Sequence, residues 1–233
     1  MQSSNFAFVQ GVRDTRGALA RWNADPWPVL RAWLLGAAVV TVGLLASVWI
    51  IGATSTPQYG KGTVLAGFNA PASIADVGRV LFRNSLVLAL HSLACVAGFI
   101  AGSSLPAQAG QQSRLMAKVH DHVGRAAIIF VVCATTFSLV TQSLTIGQAA
   151  SSLAAENGMT VGELLVGLLP HAIPELMALF LPLAAWMIAS RRGDWQDLLA
   201  ATFVTTALAI PVLVLSAFVE VYVSPHLLIS LRG

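Results

Sequence analysis

The sequence predicts an all-α, polytopic membrane protein with about five transmembrane helices and short interfacial helices. Of its 233 residues, 56% are hydrophobic and only 10% are charged, whereas about 25% of the residues in a soluble domain are charged. Uncharged stretches longer than the roughly 20 residues that span a bilayer recur along the whole chain. These runs are long and do not alternate between polar and apolar residues, which argues against a transmembrane β-barrel.

The predicted spans are apolar runs bounded by charged residues. In lipid each run must form a helix, because a helix satisfies its own backbone hydrogen bonds. The spans cover about residues 32–54, 85–103, 126–148, 164–190 and 198–223. The chain therefore divides into a cytoplasmic N-terminal segment, residues 1–28, and a helical transmembrane domain, residues 29–233.

Short amphipathic segments flank several spans. Residues 6–23 are predicted to form an amphipathic helix on the cytoplasmic side. Ser73 followed by Asp76, and Thr160 followed by Glu163, have the spacing of capping boxes that open helices. Each of these helices leads into a span from the outer side, either as an elbow that shapes helix entry or as a gate. The elbow is the simpler interpretation, because amphipathic entry helices are common.

The distribution of Lys and Arg predicts the orientation in the membrane. With a cytoplasmic N-terminus, nine of these residues lie on the inner side and four on the outer side. The inner set is Arg13, Arg16, Arg21, Arg31, Arg114, Lys118, Arg125, Arg191 and Arg192, and the outer set is Lys61, Arg79, Arg83 and Arg232. We therefore expect the N-terminus inside and the C-terminus outside.

Two carboxylates, Glu175 and Glu220, lie inside the apolar runs, where an ionisable group costs roughly 3 kcal/mol and usually faces a cavity, a partner or a pathway. At 1.5 Å per residue, Glu175 lies about 24 Å and Glu220 about 34 Å from the inner ends of their spans. Other polar side chains are predicted in the same outer layer. The candidate intramembrane polar cluster consists of His91, His171, Glu175, Glu220, His226 and Asn84.

Three interpretations of this cluster compete. It forms hydrogen bonds between helices, it lines an outward-facing cavity for a proton, ion or small ligand, or it binds a metal through His and Glu. The first is favoured, because intramembrane polar groups most often pair with each other, for example as His171–Glu220 or Glu175–His91. The metal site is the weakest, because His171 and Glu175 share a helix face but local sequence places no third ligand.

The sequence lacks the motifs of common enzymes and cofactor sites. It contains no His-Glu-x-x-His run, no Gly-x-Ser-x-Gly elbow, and no phosphate-binding or dinucleotide-binding loop. We therefore expect no catalytic residue, no cofactor and no metal, and a protein that is not an enzyme. A net charge of +3 without a basic, aromatic-rich cluster also predicts that nucleic acid is not a partner.

Gly98 and Gly102 form a Gly-x-x-x-Gly pair in the second span, which permits close helix packing. A contact within the chain is the simpler expectation, and a homo-oligomer remains an open alternative.

Two stretches carry a family resemblance: Pro-His-Ala-Ile-Pro-Glu-Leu at residues 170–176 and Ala-Phe-Val-Glu-Val-Tyr-Val-Ser-Pro at residues 217–225. Asn84, with the small-residue run that ends at Gly98 and Gly102, is a further match. Through these residues the chain resembles the stage II sporulation protein M family of multi-pass bacterial membrane proteins over about residues 77–226. It departs from the family pattern at Ala172, where Gly is usual.

The resemblance implies a bacterial cytoplasmic-membrane protein that works with other membrane or envelope proteins. In spore formers, members of the family join a septal complex that aids peptidoglycan remodelling. The leading hypothesis is therefore a scaffold or subunit of an envelope-associated membrane complex. The alternative is a permease or channel-like component with an outward-facing cavity lined by His and Glu. The lipid bilayer is the expected partner in both cases.

Overall fold

The structure is a computed structural model that describes residues 7–60, 64–104 and 114–232, with side chains described in 11–60, 64–102 and 129–232. Most of the described residues are helical, and none of them lies in a β-strand. Some of the residues used to predict the orientation lie outside the described side chains, namely Lys61, Arg114, Lys118 and Arg125.

The helices follow in the order α1 (Ala7–Ala24), α2 (Trp27–Thr54), α3 (Ile74–Phe99), α4 (Arg114–Glu156), α5 (Val161–Arg192), α6 (Leu198–Phe218) and α7 (Ser224–Leu231). A π-helical turn, Ile100–Ser104, continues α3, and a 3-10 turn, Trp195–Asp197, precedes α6. A second π-helical turn, Val219–Val223, joins α6 to α7.

Within the described residues, five helical segments are long and apolar enough to cross a membrane. They are Trp27–Thr54, Ile74–Gly102, Ile129–Glu156, Val161–Arg192 and Trp195–Leu231. This confirms the predicted all-α class with five spans.

Both predicted capping signals are confirmed. The Thr160 N–H donates to Oε2 of Glu163 at 2.7 Å, and the Glu163 N–H donates to Oγ1 of Thr160 at 3.2 Å. At the start of α3, the Ser73 N–H and hydroxyl both donate to Oδ2 of Asp76. The helices that begin there run on into the spans without a break, so the amphipathic entry segments are the first turns of α3 and α5.

The chain divides into two compact units. The first unit comprises Met1–Ala37, Val87–Thr135 and Leu179–Ala209. The second unit comprises Ala38–Leu86, Thr136–Ala178 and Ile210–Gly233.

In the first unit, α1 docks through an ion pair and an aromatic contact. The Arg21 guanidinium donates to both carboxylate oxygens of Asp197, at 2.7 and 2.8 Å. The rings of Trp22 and Trp33 meet edge to face with their centroids 5.1 Å apart. The ion pair holds α1 against the turn that precedes α6, and the aromatic contact holds it against α2.

Close packing in the first unit also depends on Gly98 and Gly102. A Cβ on Gly98 would lie 2.8 Å from Cδ1 of Leu198 and 2.8 Å from Nε1 of Trp186. A Cβ on Gly102 would collide with the ring of Trp195. Both glycines therefore allow a close approach within one chain.

In the second unit, apolar packing surrounds the turn between α6 and α7. Val77, Ala217 and Val221 form a buried cluster. Gly67, in the segment between α2 and α3, has a φ of +81° and lies directly over this turn, because a Cβ there would be 2.7 Å from the Val221 carbonyl oxygen. The connecting segment thus packs on the stretch that carries Glu220.

Candidate functional site

A hydrogen bond between α5 and α7 anchors the site, which lies in the second unit. Nδ1 of His171 is 2.7 Å from Oγ of Ser224. Both side chains are buried, with 7% and 1% of their surface exposed. Glu175 follows His171 by four residues and Ser224 follows Glu220 by four, so each pair lies on one helical face. The bond therefore brings the two glutamates toward each other.

Glu175 and Glu220 form a carboxylate pair. Both side chains are half-buried, and the charge of Glu220 acts on Glu175. The charge of Arg83, on α3, acts on both of them. Among the described residues, no ion pair within 4.0 Å joins Arg83 to either carboxylate. The carboxylates of Glu175 and Glu220 thus share the Arg83 guanidinium at distances beyond 4.0 Å. When both carboxylates are ionised, one negative charge stays uncompensated.

Asn84 adds a polar group beside this pair. Its amide interacts with the Glu175 carboxylate, but the contact lacks hydrogen-bond geometry, since Nδ2 of Asn84 and Oε2 of Glu175 are both buried without a partner among the described residues. A buried polar atom without a partner costs about 1–3 kcal/mol, and such atoms call for an explanation.

The π-helical turn Val219–Val223 carries Glu220. Such turns are rare and occur frequently at functional sites. Gly67, in the segment between α2 and α3, packs against this turn at Val221. That segment therefore restrains the backbone that carries Glu220.

A cavity of about 380 Å³ opens onto the site. Its polar lining consists of Asp76, Arg79, Arg83, His171, Glu220 and Ser224. Asp76 and Arg79 form an ion pair with each other, and Arg83 is exposed. A charged vestibule therefore reaches Glu220 and His171. A larger cavity, of about 510 Å³, lies near Trp49 and Met159 and is lined by no ionisable residue, so it offers less chemistry.

The structure brings together four of the six residues in the predicted cluster: Asn84, His171, Glu175 and Glu220. His91 belongs to the first unit, where its Nδ1–H donates to the Leu179 carbonyl oxygen at 2.8 Å and its ring packs on Phe180. His226 is in the second unit and its side chain is exposed.

Arg83 and Ser224 were missed by the sequence analysis as members of the site. Two signals pointed to them. Arg83 directly precedes Asn84, and Ser224 stands four residues after Glu220, the same spacing that separates His171 from Glu175.

The described residues contain no group of three or more His, Cys, Asp or Glu side chains placed to hold a metal ion. The site can accept one positive charge, because it contains the carboxylates of Glu175 and Glu220 and only the guanidinium of Arg83 to compensate them.

One comparison with known proteins gives a match, and that match covers the spans that carry His171, Glu175 and Glu220. The family model described as Stage II sporulation protein M matches residues 125–225, a stretch that includes His171, Glu175 and Glu220. Neither a curated protein nor a solved structure matches the chain. The match bears out the resemblance to the stage II sporulation protein M family that was drawn from the sequence, over residues 125–225.

Proposed function

We propose that this membrane protein is a permease or channel-like component, without catalytic activity, that binds a proton or a small monovalent cation at Glu175 and Glu220. One observation carries the proposal: Oε2 of the half-buried Glu175 has no hydrogen-bond partner among the described residues, and the half-buried Glu220 lines one cavity with the guanidinium of Arg83. Uptake of one positive charge neutralises the group, and neutrality favours a site at membrane depth.

The charged vestibule supplies a route as far as Glu220. Its lining includes Glu220, His171, Arg83 and the Asp76–Arg79 ion pair. In the orientation that the Lys and Arg distribution favours, this cavity faces outward. We propose the bacterial cytoplasmic membrane as the location, with the N-terminus inside. Alkaline phosphatase fused to the C-terminus is expected to be active, and a fluorescent protein fused there to be dark.

A flux assay tests the function. The purified protein is reconstituted in liposomes, a potassium diffusion potential is imposed, and internal pH or Na⁺ is followed with a dye. We expect flux above that of protein-free liposomes, at least tenfold lower in Glu175→Gln. The matched control is Glu163→Gln, whose side chain is exposed and lies in the capping box; it is expected to keep wild-type flux.

Two outcomes contradict the proposal. The first is wild-type protein that moves neither protons, Na⁺ nor K⁺ faster than empty liposomes. The second is a Glu175→Gln variant that loses thermal stability and flux in parallel, which would assign the cluster to helix packing.

A scaffold or complex subunit is the second candidate, and a different observation favours it. The most apolar window of Ile129–Glu156 is only 6% buried, against 22–39% in the other four spans. A span so little covered by its own chain suits contact with other proteins. Affinity purification from native membranes in mild detergent tests this candidate: a stoichiometric envelope protein supports it, and its absence after mild cross-linking removes it.

A further inference from the structure

A cavity of about 250 Å³ lies in the first unit, where α2 begins and α5 ends. It shares no residue with the site to which we assign transport. Its charged lining stands at the ends of membrane-spanning helices or in the connections between them: Asp25, Arg192, Asp194 and Asp197. The cavity therefore lies at a membrane surface, at the depth of the lipid headgroups.

Close packing of α2 on α5 closes the cavity on the side of the membrane interior. A Cβ on Gly36 would lie 3.0 Å from the Cβ of Ala184, so the two helices meet at this level. One turn nearer the surface, Ala32 of α2 and Ile188 of α5 line the cavity instead. At 1.5 Å per residue, about 12 Å separate Arg192 from the level of Ala184. This depth suits a lipid headgroup better than an extended acyl chain.

The charged groups of the lining are only partly used by the protein itself. The Asp197 carboxylate accepts two hydrogen bonds from Arg21. The side chains of Asp25, Asp194 and Arg192 make no hydrogen bond, and no ion pair within 4.0 Å, with any residue that the structure describes. Two carboxylates and one guanidinium thus line a single cavity without a close partner of opposite charge in the described part of the chain.

We propose that this cavity binds the headgroup of a lipid that carries a primary ammonium and a phosphate, as phosphatidylethanolamine does. A primary ammonium has three N–H donors and no acceptor, which suits the carboxylates of Asp25 and Asp194. A phosphate accepts parallel hydrogen bonds from a guanidinium, which suits Arg192. The methylene groups between the two charges match the apolar wall formed by Ala32 and Ile188.

Other headgroups match this set of charges less well. The quaternary ammonium of phosphatidylcholine has no N–H to donate, and the lining offers it only the rings of Trp22 and Trp33. Phosphatidylglycerol has no cation, so it would place its negative charge beside both free carboxylates. A lysine-rich peptide would supply the ammonium but no group for Arg192.

Native mass spectrometry of the purified protein tests the preference for a primary ammonium. Lipids with identical acyl chains and zero, one, two or three N-methyl groups on the ethanolamine are added in detergent at equal concentration. We expect retention to fall with each methyl group, at least fivefold from phosphatidylethanolamine to phosphatidylcholine. Equal retention of the four lipids, or a preference for phosphatidylcholine, would overturn the proposal.

Two variants test whether the preference arises in this cavity. The double variant Asp25→Asn, Asp194→Asn keeps the size of both side chains and should retain the four lipids alike. Arg192→Gln should lower the retention of all four at least threefold, because they share the phosphate. Arg191→Gln is the matched control, since Arg191 is also exposed but does not line the cavity. Equal retention in the two arginine variants, or an unchanged preference in the double variant, would contradict the proposed site.

A soluble competitor distinguishes a membrane lipid from a free phosphoamine. O-phosphoethanolamine carries the same ammonium and phosphate but has no acyl chains. We expect phosphatidylethanolamine to stay bound in an excess of this competitor, because the acyl chains keep the headgroup at the depth of the cavity. Complete displacement would overturn the assignment of the cavity to a lipid.

Discussion

Nδ1 of His171 lies 2.7 Å from Oγ of Ser224, and both side chains are buried. The contact joins the middle of α5 to the first residue of α7, directly after the π-helical turn that carries Glu220. Because Glu175 and Glu220 stand four residues from these partners, the hydrogen bond helps to position the two carboxylates. Loss of this bond should therefore affect stability and the site together.

Ser224→Ala tests that dependence. Removal of the hydroxyl leaves a buried imidazole nitrogen without its partner, which should lower the free energy of unfolding by about 1–3 kcal/mol. Thermal denaturation of the purified protein in detergent measures the change. The control is Ser230→Ala, whose exposed hydroxyl donates only to the Leu227 carbonyl oxygen; we expect little effect there. Similar losses in both variants would mean that the His171 contact contributes nothing specific.

Carbodiimide labelling tests whether the charge of Arg83 stabilises the ionised forms of both Glu175 and Glu220. An apolar carbodiimide modifies protonated carboxyls within the membrane, so mass spectrometry should find the label on Glu175 or Glu220. Glu163 should stay unmodified, because its exposed carboxylate accepts hydrogen bonds from Thr160. Arg83→Gln removes the cation that both acids share, which favours their neutral forms, and labelling at neutral pH should rise several-fold.

The control for that variant is Arg79→Gln. Its guanidinium is paired with the Asp76 carboxylate, so its charge is already compensated. Labelling that rises equally in both arginine variants would show that net surface charge, rather than a shared cation, controls the two glutamates.

Much of this architecture follows from the sequence. Long apolar runs determine the number of spans, and the Thr160–Glu163 spacing determines where α5 begins. The positions of Glu175 and Glu220 inside such runs single them out, because an ionisable group there must be compensated. The four-residue spacing of His171 and Glu175 also places them on one face.

Other parts of the site depend on information that hydropathy lacks. Packing sets the rotation of a span about its axis. The sequence therefore places His91 on the correct helix, but it does not predict the hydrogen bond from His91 to the Leu179 carbonyl oxygen. Pro225 marks an interruption of the α-helical hydrogen bonds near Val221, because proline has no N–H to donate, but it does not predict the direction of the Ser224 side chain. The sequence alone therefore does not predict the contact between Ser224 and His171.

Gly98→Ala should destabilise the first unit. A Cβ at Gly98 would press on Leu198 and Trp186 at 2.8 Å, and overpacking of this kind costs about 1–3 kcal/mol. Gly78→Ala, on the same helix, is the matched control, because a Cβ there would meet nothing within 4 Å. It should be neutral or slightly stabilising, since alanine favours helix by up to about 1 kcal/mol over glycine. Equal melting temperatures for the two variants would contradict this packing.

Gly67→Ala should disturb the site through the backbone that carries Glu220. Gly67 has a φ of +81°, where an L side chain is strained by roughly 1–2 kcal/mol. The added Cβ would also lie 2.7 Å from the Val221 carbonyl oxygen and 2.8 Å from Cγ of Pro225.

Gly60→Ala is the matched control, because its φ is +77° with nothing within 4 Å of the new Cβ. Backbone strain is thus common to both variants, and only Gly67→Ala should push the π-helical turn. We expect a larger loss of thermal stability and altered carbodiimide labelling of Glu220 in Gly67→Ala alone. If both variants lose stability equally and label like the wild type, the connecting segment has no influence on Glu220.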